Sequence, residues 1–243
     1  MNQRVSVCMA TYNGASFVSA QIESILAQLV DDDELVIVDD ASTDDTVAVV
    51  ESIGDPRIRI IRQNVNQGYV RTFERALREA TGDVLLLSDQ DDLWLPGRRD
   101  LLAQAALSRG VAASNLVLLG SDHALRSPLT GRPWLLKAAD SRRRWRNELL
   151  ILAGDIPYFG CAMAMSRDAV SRVLPFPPYL SESHDLWIAT VANRHGLMTH
   201  VDAATLRRRV HAGNASTPRP RSLRHVLAAR WMLVRAFASA RRR

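Results

Sequence analysis

The sequence predicts an α/β fold with a mostly parallel central sheet flanked by helices, and three observations carry that prediction. Strand-like and helix-like patterns alternate four times within about 90 residues. The strand segments read as continuous apolar runs rather than alternating ones, as strands covered on both faces do. Polar residues gather where those runs end, and the carboxyl ends of parallel strands are where such sheets bind ligands.

Val5 to Ala10 is the first run and ends at the polar turn Thr11, Tyr12, Asn13, Gly14. A helical pattern through Phe17, Ile22, Ile25, Leu26 and Leu29 follows, and Glu34 to Val38 is a second run ending in Asp39 and Asp40. Ser42 with Asp45 three residues on has the outline of a capping box, opening a helix through Val47, Val50 and Ile53. Arg57 to Ile61 is the third strand, followed by the turn at Asn64 to Gly68 and a helix through Phe73, Ala76, Leu77 and Ala80. Gly82 stops that helix, and Val84 to Leu87 is a fourth strand ending in Ser88, Asp89, Gln90, Asp91, Asp92. The second half is less regular. It offers a helix from Pro96 to Arg109, an apolar run at Leu116 to Leu119, and a polar loop with helical pieces from Ser127 to Arg146. A strand at Phe159 to Met165, a rigid turn at Pro175, Pro177 and Pro178, and a helix at Ser183 to Ala192 follow. Gly213 to Arg221 reads as a hinge before a last helix, Leu223 to Ala240.

At 243 residues and 27.0 kDa the chain is one sizeable domain, or one with a small appendage. A composition of 47% hydrophobic and 23% charged residues fits neither a disordered chain nor a membrane bundle. Cys8 and Cys161 belong to no CxxC or Cys/His cluster, so a disulfide framework is excluded and a zinc module is not expected. No leader pattern opens the chain and no apolar stretch of about 18 residues occurs, so a cytosolic protein is expected. The formal charge of +5 is uneven: eleven arginines and no acid follow Asp202, leaving 20 basic residues against all 26 acids, a net −6, in residues 1–202. Only the tail is basic, which argues against a nucleic-acid-binding protein.

Asp89, Asp91 and Asp92 crowd three carboxylates at one strand end, an arrangement that wants a divalent cation or another positive partner. Mg²⁺ and Mn²⁺ are held by one or two carboxylates together with substrate phosphates. Asp39 and Asp40 can accept from a base or a ribose hydroxyl, or cap the following helix; the residues alone leave open which of the two faces a ligand. No G-x-G-x-x-G follows the first strand and no G-x-x-x-x-G-K-[ST] occurs, which counts against a nicotinamide dehydrogenase and a P-loop phosphotransferase. Trp94 and Trp187, close to the carboxylate centres, either stack on sugar rings or pack the core.

The order T-Y-N-G, V-D-D-A-S-T-D, N-x-N-x-G-Y-V-x-x-F-E and G-D-x-x-x-x-S-D-Q-D-D-x-W resembles the inverting, metal-dependent nucleotide-sugar glycosyltransferases of the GT-A fold, family 2, over about residues 4–215. The S-D-Q-D-D-x-W variant resembles bacterial rhamnosyltransferases and polysaccharide-assembly enzymes. The resemblance implies that Thr11, Asp39 and Asp40 contact the nucleotide, Asp40 foremost, and that Asp89 and Asp91 form the metal and diphosphate motif. Asp91 is then the ligand of Mn²⁺ or Mg²⁺, and Asp89 lies nearer the ribose or sugar. It further implies that Gly160, Cys161 and Ala162 border the acceptor pocket and that Asp185, in H-D-x-W, is the general base, with Glu182 in reserve. His184 orients that carboxylate, contacts acceptor, or caps its helix. His211, in R-x-H-x-x-N, is a metal or phosphate contact and the nearby Arg208 and Arg209 are placed to neutralise phosphate charge, although L-R-R-R at 206–209 departs from the common pattern, in which an aromatic precedes the arginine.

The activity so implied is inverting transfer of a sugar, with L-rhamnose from dTDP-rhamnose as one donor, to a glycan or lipid-linked acceptor in cell-surface polysaccharide synthesis. Residues 1–95 form the nucleotide half and 96–215 the acceptor half of one catalytic domain. Residues 216–243 are a hinge and a basic amphipathic helix, with Leu223, Leu227, Trp231, Val234 and Ala238 on one stripe, suited either to peripheral contact with the inner face of the membrane or to packing on the catalytic domain with its arginines in water. The irregular segment Ser121 to Pro157 is expected to build the acceptor site. A sugar-nucleotide nucleotidyltransferase and a carbohydrate- or nucleotide-binding pseudoenzyme are the alternatives; the first is expected to carry a glycine-rich loop that Thr11 to Ser16 lacks.

Overall fold

The computed structural model describes residues 3–210 and 223–243. The four predicted strands are present as β1 (Val5–Thr11), β2 (Glu34–Asp39), β3 (Ile58–Arg62) and β4 (Val84–Ser88). They pair in parallel in the order β3, β2, β1, β4, so their carboxyl ends share one edge. Successive side chains of a strand point to opposite faces. Here both sets are apolar. Val7, Met9, Leu35, Ile37, Val84 and Leu86 pack with α1 (Val18–Leu26), α2 (Thr46–Ser52) and α4 (Arg98–Arg109). Cys8, Val36, Val38, Leu85 and Leu87 face the opposite layer. That layer contains α3 (Tyr69–Glu79), α5 (Arg144–Ala153), α6 (Arg167–Val173), α7 (His184–Arg194) and α8 (Leu223–Ala240). Each such side chain contributes roughly 1.5–3 kcal/mol by leaving water, which explains why the strands read as unbroken apolar runs.

The second half completes an eight-stranded mixed sheet. The strand β7 (Met163–Ser166) runs antiparallel between β4 and β6 (Val111–Leu118). The eleven-residue β8 (Met198–Arg208) lies parallel to β6, and the short β5 (Leu93–Trp94) closes the edge antiparallel to β8. The α/β class is as expected, parallel in its first half and mixed in its second.

Several local expectations change. Ser42 caps no helix: the residue at the N-cap of α2 is Asp45, without a side-chain cap bond, and the Ser42 hydroxyl donates instead to Asp39 Oδ1 at 2.6 Å. The span predicted as a strand at Phe159 to Met165 opens with a 3₁₀ turn, Gly160–Ala162, before β7 begins. The last helix has the predicted bounds, but its buried face is Met232, Leu233, Ala236 and Ala240, while Trp231 and Val234 are exposed. α8 packs on α5 and α7 through that face. The side chains of Leu223 and Leu227 and the expected hinge at 213–221 lie outside the described residues. Among the described residues no helix is long and apolar enough to cross a membrane.

Candidate functional site

The loops after β1, β2 and β4 converge on a cavity of about 610 Å³, in the range of small-ligand sites. Thr11, Tyr12, Asp40, Asn66, Asp89 and Asp91 line one side; Phe159, Gly160, Cys161, Glu182, His184, Asp185 and Arg208 line the other. Three non-glycine residues of the surrounding loops, Asn13, Ala41 and Ser183, hold positive φ values of 47°, 61° and 58°. Such conformations are strained and persist where the surrounding structure imposes them.

The two adjacent acids after β2 divide their work. The Asp39 carboxylate is taken up inside the protein, accepting from the Thr11 hydroxyl at 2.9 Å and from the Ser42 amide and hydroxyl at 2.9 and 2.6 Å. It therefore ties β1 to the loop after β2. Asp40 lines the cavity and is held by the Gln67 and Gly68 amides at 2.7 and 2.9 Å and by Gln63 Nε2 at 3.0 Å. Gly68 reaches that position with φ 82°, which favours glycine. Thr11 lines the cavity beside Asp40.

Gln90 locks the loop after β4 onto the loop after β1, accepting from the Tyr12 amide at 2.9 Å and donating to the Tyr12 carbonyl at 3.0 Å. Asp89 and Asp91 thereby face the cavity. Asp92 does not line the cavity; Oδ1 accepts from the Arg209 amide at 3.0 Å, the Cys161 thiol bonds the same carboxylate, and the buried Oδ2 has no N–H or O–H partner among the described residues. Ligand atoms of Asp89, Asp92 and Cys161 lie within 4.8 Å of one another, and Asp91 lies outside that cluster. Burial and the mutual repulsion of these carboxylates push Asp89 and Asp92 well above the ordinary carboxylate range, with Arg208 opposing the shift in both. Burial and the neighbouring carboxylates also raise the Cys161 thiol, so at neutral pH it stays protonated. Crowded hard oxygens, with a buried carboxylate oxygen that no N–H or O–H among the described residues reaches, fit a divalent Mg²⁺ or Mn²⁺. Beneath the loop the buried Arg98 guanidinium stacks 4.7 Å from the Trp94 ring and donates to Leu87 O, Cys161 O and Thr205 Oγ1. Burial lowers it only to about 10, so it stays a cation behind the acids.

On the opposite wall α7 begins at Ser183, whose amide donates to the Tyr69 hydroxyl at 3.0 Å. Asp185, in the first turn, accepts the Leu186 amide at 2.8 Å and the Gly160 amide; burial outweighs these bonds and pushes its carboxyl up to about 6. His184 sits between Phe73 (ring centroids 4.5 Å apart) and Tyr69 (5.6 Å), and among the described residues neither ring nitrogen has a hydrogen-bond partner. Burial lowers it to about 3, so it is neutral.

Thr11, Asp40, Asp89, Asp91 and Asp185 are brought together around one cavity, with Glu182 among them, while Asp39 stands just behind it. His211 lies outside the described residues. Trp94 and Trp187 pack the core: Trp187 is fully buried and donates to Val173 O at 3.0 Å. Among the described residues, Ser121 to Pro157 contributes nothing to the cavity wall; Thr130, Trp134 and His200 border a separate hollow of about 210 Å³. The sequence reads Phe159 only as part of a strand and Arg208 only as one of the arginines near His211 able to neutralise phosphate charge, although the alternation of β8 carries the signal that Arg208 turns into the cavity. Arg207 points outward to Asp122 at 2.7 Å, so its neighbour points in.

Fold and site together define an α/β protein with an acidic ligand cavity at the carboxyl ends of its parallel strands. The chain belongs to glycosyl transferase family 2, whose model matches residues 6–174. It is 29% identical over 183 residues to an uncharacterized glycosyltransferase of Nostoc sp., covering 72% of this chain and 54% of that protein. It is 37% identical over 91 residues to the UDP-Glc:alpha-D-GlcNAc-diphosphoundecaprenol beta-1,3-glucosyltransferase WfaP of Escherichia coli, covering 37% of this chain and 36% of that protein. The chain thus spans about half the length of the first relative and about a third of the second. Among solved structures, S. aureus TarS in complex with UDP-GlcNAc superposes with a TM-score of 0.72 at 18% identity, over 98% of this chain and 66% of that one. Glucosyl-3-phosphoglycerate synthase from Mycobacterium tuberculosis, in complex with Mn²⁺, UDP and glucosyl-3-phosphoglycerate, gives 0.62 at 20% identity over 98% and 80%. At these identities the likeness is one of fold.

Proposed function

We propose that the chain is an inverting, metal-dependent glycosyltransferase that moves a sugar from a nucleoside diphosphate donor to a glycan or lipid-linked acceptor in cell-surface polysaccharide synthesis, at the inner face of the membrane. The observation that carries this reading is the placing of Asp40, Asp89, Asp91 and Asp185 around one cavity. Asp40 accepts from the base or ribose, with Thr11 beside it and Asp39 holding the loop. Asp91, with Asp89 beside it, holds Mn²⁺ or Mg²⁺, and His211 is a further contact for the metal or phosphate. The bound cation supplies positive charge against the diphosphate as it leaves. Asp185 takes the acceptor hydroxyl's proton as that oxygen attacks the anomeric carbon from the face opposite the diphosphate, which inverts the centre. A carboxyl near 6 is ionised at neutral pH and is a stronger base than an ordinary aspartate.

Residues 1–95 form the donor half in this reading, 96–215 the acceptor half, and 216–243 the hinge and helix. Two donors have support. The S-D-Q-D-D-x-W resemblance favours L-rhamnose from dTDP-rhamnose, and the printed activity of the E. coli relative favours glucose from UDP-glucose.

The test is calorimetric titration of UDP, dTDP, GDP, UDP-glucose and dTDP-rhamnose, with Mn²⁺ present and then chelated, on wild type and Asp91→Ala. Binding of one nucleotide class that needs Mn²⁺ and weakens at least about tenfold in Asp91→Ala is expected. Folded wild-type protein that binds nothing across the panel overturns the reading.

A further inference from the structure

We propose that Arg208 is the anion-reading residue of the cavity, gripping a phosphate of the donor or of a phosphate-bearing acceptor with the free edge of its guanidinium. The inference rests on the transferase reading and names a residue which that reading does not require.

Arg208 is the last residue of β8 and the only arginine or lysine among the described residues that line the cavity. The other lining ionisable groups include Asp40, Asp89, Asp91, Glu182 and Asp185. A dianionic ligand entering such a wall meets several carboxyl groups, and Arg208 is the fixed cation there that opposes them. Its neighbours are occupied elsewhere. Arg207 pairs with Asp122 at 2.7 Å, Arg209 donates to Asp91 O at 3.1 Å, and Arg98 is spent on three oxygens beneath the loop.

Arg208 is different. Its guanidinium lies over the Phe159 ring, 5.0 Å from the centroid, and is close enough to Asp89, Asp92 and Asp185 to favour their charged forms. Yet among the described residues it donates no hydrogen bond and makes no close ion pair. A guanidinium stacked on an aromatic face keeps its N–H edge free and fixed in direction, and that edge matches two oxygens of a phosphate. Simple neutralisation of the acids would close such a pair. This one is held open, between the carboxylate loop and the acceptor wall.

The experiment compares wild type, Arg208→Gln and Arg208→Lys by calorimetry with uridine and UDP, or with thymidine and dTDP where wild type prefers them, with and without Mn²⁺. Transfer is measured in parallel to GlcNAc on a short polyprenyl diphosphate and to a phosphate-free GlcNAc glycoside. If the donor diphosphate is the ligand, Arg208→Gln binds UDP roughly tenfold or more weakly while uridine is unchanged, and Arg208→Lys recovers part of the loss. If the acceptor phosphate is the ligand, nucleotide binding holds and KM rises about tenfold for the diphosphate acceptor alone. Either result supports the proposal. It is overturned if both ratios match wild type, or if uridine and UDP weaken together, which would make Arg208 a packing plate for Phe159. A wild type that binds neither nucleoside nor nucleotide overturns the transferase reading and this inference with it, a result that needs no variant to recognise.

Discussion

The Asp185 carboxyl is held by two backbone amides, which favour its charge, and by enclosure, which opposes it more strongly. Its folded value is raised above 3.8 to about 6, so the fold prefers the neutral acid, and the preference is present at low pH and lost as pH rises through about 6. At pH 8 the ionised group therefore destabilises the protein by on the order of 3 kcal/mol. Asp185→Asn keeps an oxygen for the Leu186 and Gly160 amides and removes the charge. Urea unfolding at pH 8 should show the variant more stable than wild type by about that amount, with nucleotide binding retained and glycosyl transfer lost. In the wild type kcat/KM should rise with pH through an acid limb near 6. Persistent transfer in Asp185→Asn would move the role of base to Glu182. These acids were legible because D-Q-D-D and H-D-x-W end or begin elements that open on the crevice. What adjacent letters do not encode is which of Asp39 and Asp40 turns inward; Thr11 and Ser42 decide it by consuming Asp39.

Among the elements, the 3₁₀ turn Gly160–Ala162 joins the two halves of the site. Its Gly160 amide bonds Asp185, and a Cβ on Gly160 would stand 2.6 Å from His184 Nε2. His184 cannot swing clear, because Phe73 and Tyr69 enclose it. Gly160→Ala should destabilise the protein by about 1–3 kcal/mol in denaturant unfolding and reduce transfer, since the turn and the start of α7 must part. An unchanged midpoint would mean that the histidine has room to move. The parallel half was readable from the sequence because each strand is buried on both faces. The rest obeyed other rules. β6 begins with Val111, Ala112, Ala113, Ser114 and Asn115, small or polar residues that are buried all the same, with Asn115 bonded to Leu136 and Asp202 backbone groups at 2.7 to 3.0 Å. β8 mixes buried and exposed positions along eleven residues and shows no apolar run, so neither its place beside β6 nor the inward turn of Arg208 follows from hydrophobicity alone.

At the scale of the whole molecule the question is whether α8 belongs to the fold or to a membrane. Two of its arginines, and Arg243 just beyond its end, hold it to the protein. Arg230 donates to Ala153 O at 2.9 Å, Arg235 stacks 4.1 Å from the Tyr179 ring, and Arg243 donates to Leu174 O at 3.0 Å. Its inner face completes the larger core through Met232, Leu233, Ala236 and Ala240. Its outer face keeps Trp231 and Val234, 66% and 48% exposed, beside Arg235, and that is the face available to an anionic bilayer. The two faces separate the two roles. Leu233→Ala should lower unfolding free energy by about 2–4 kcal/mol, because it empties a buried site that the small neighbouring alanines cannot refill. Trp231→Ala should stay within about 0.5 kcal/mol of wild type. If the helix also meets lipid, Trp231→Ala alone should lose co-sedimentation with phosphatidylglycerol vesicles while its unfolding curve is unchanged. Equal vesicle binding by wild type and Trp231→Ala would leave α8 a structural helix whose basic residues serve the packing already seen.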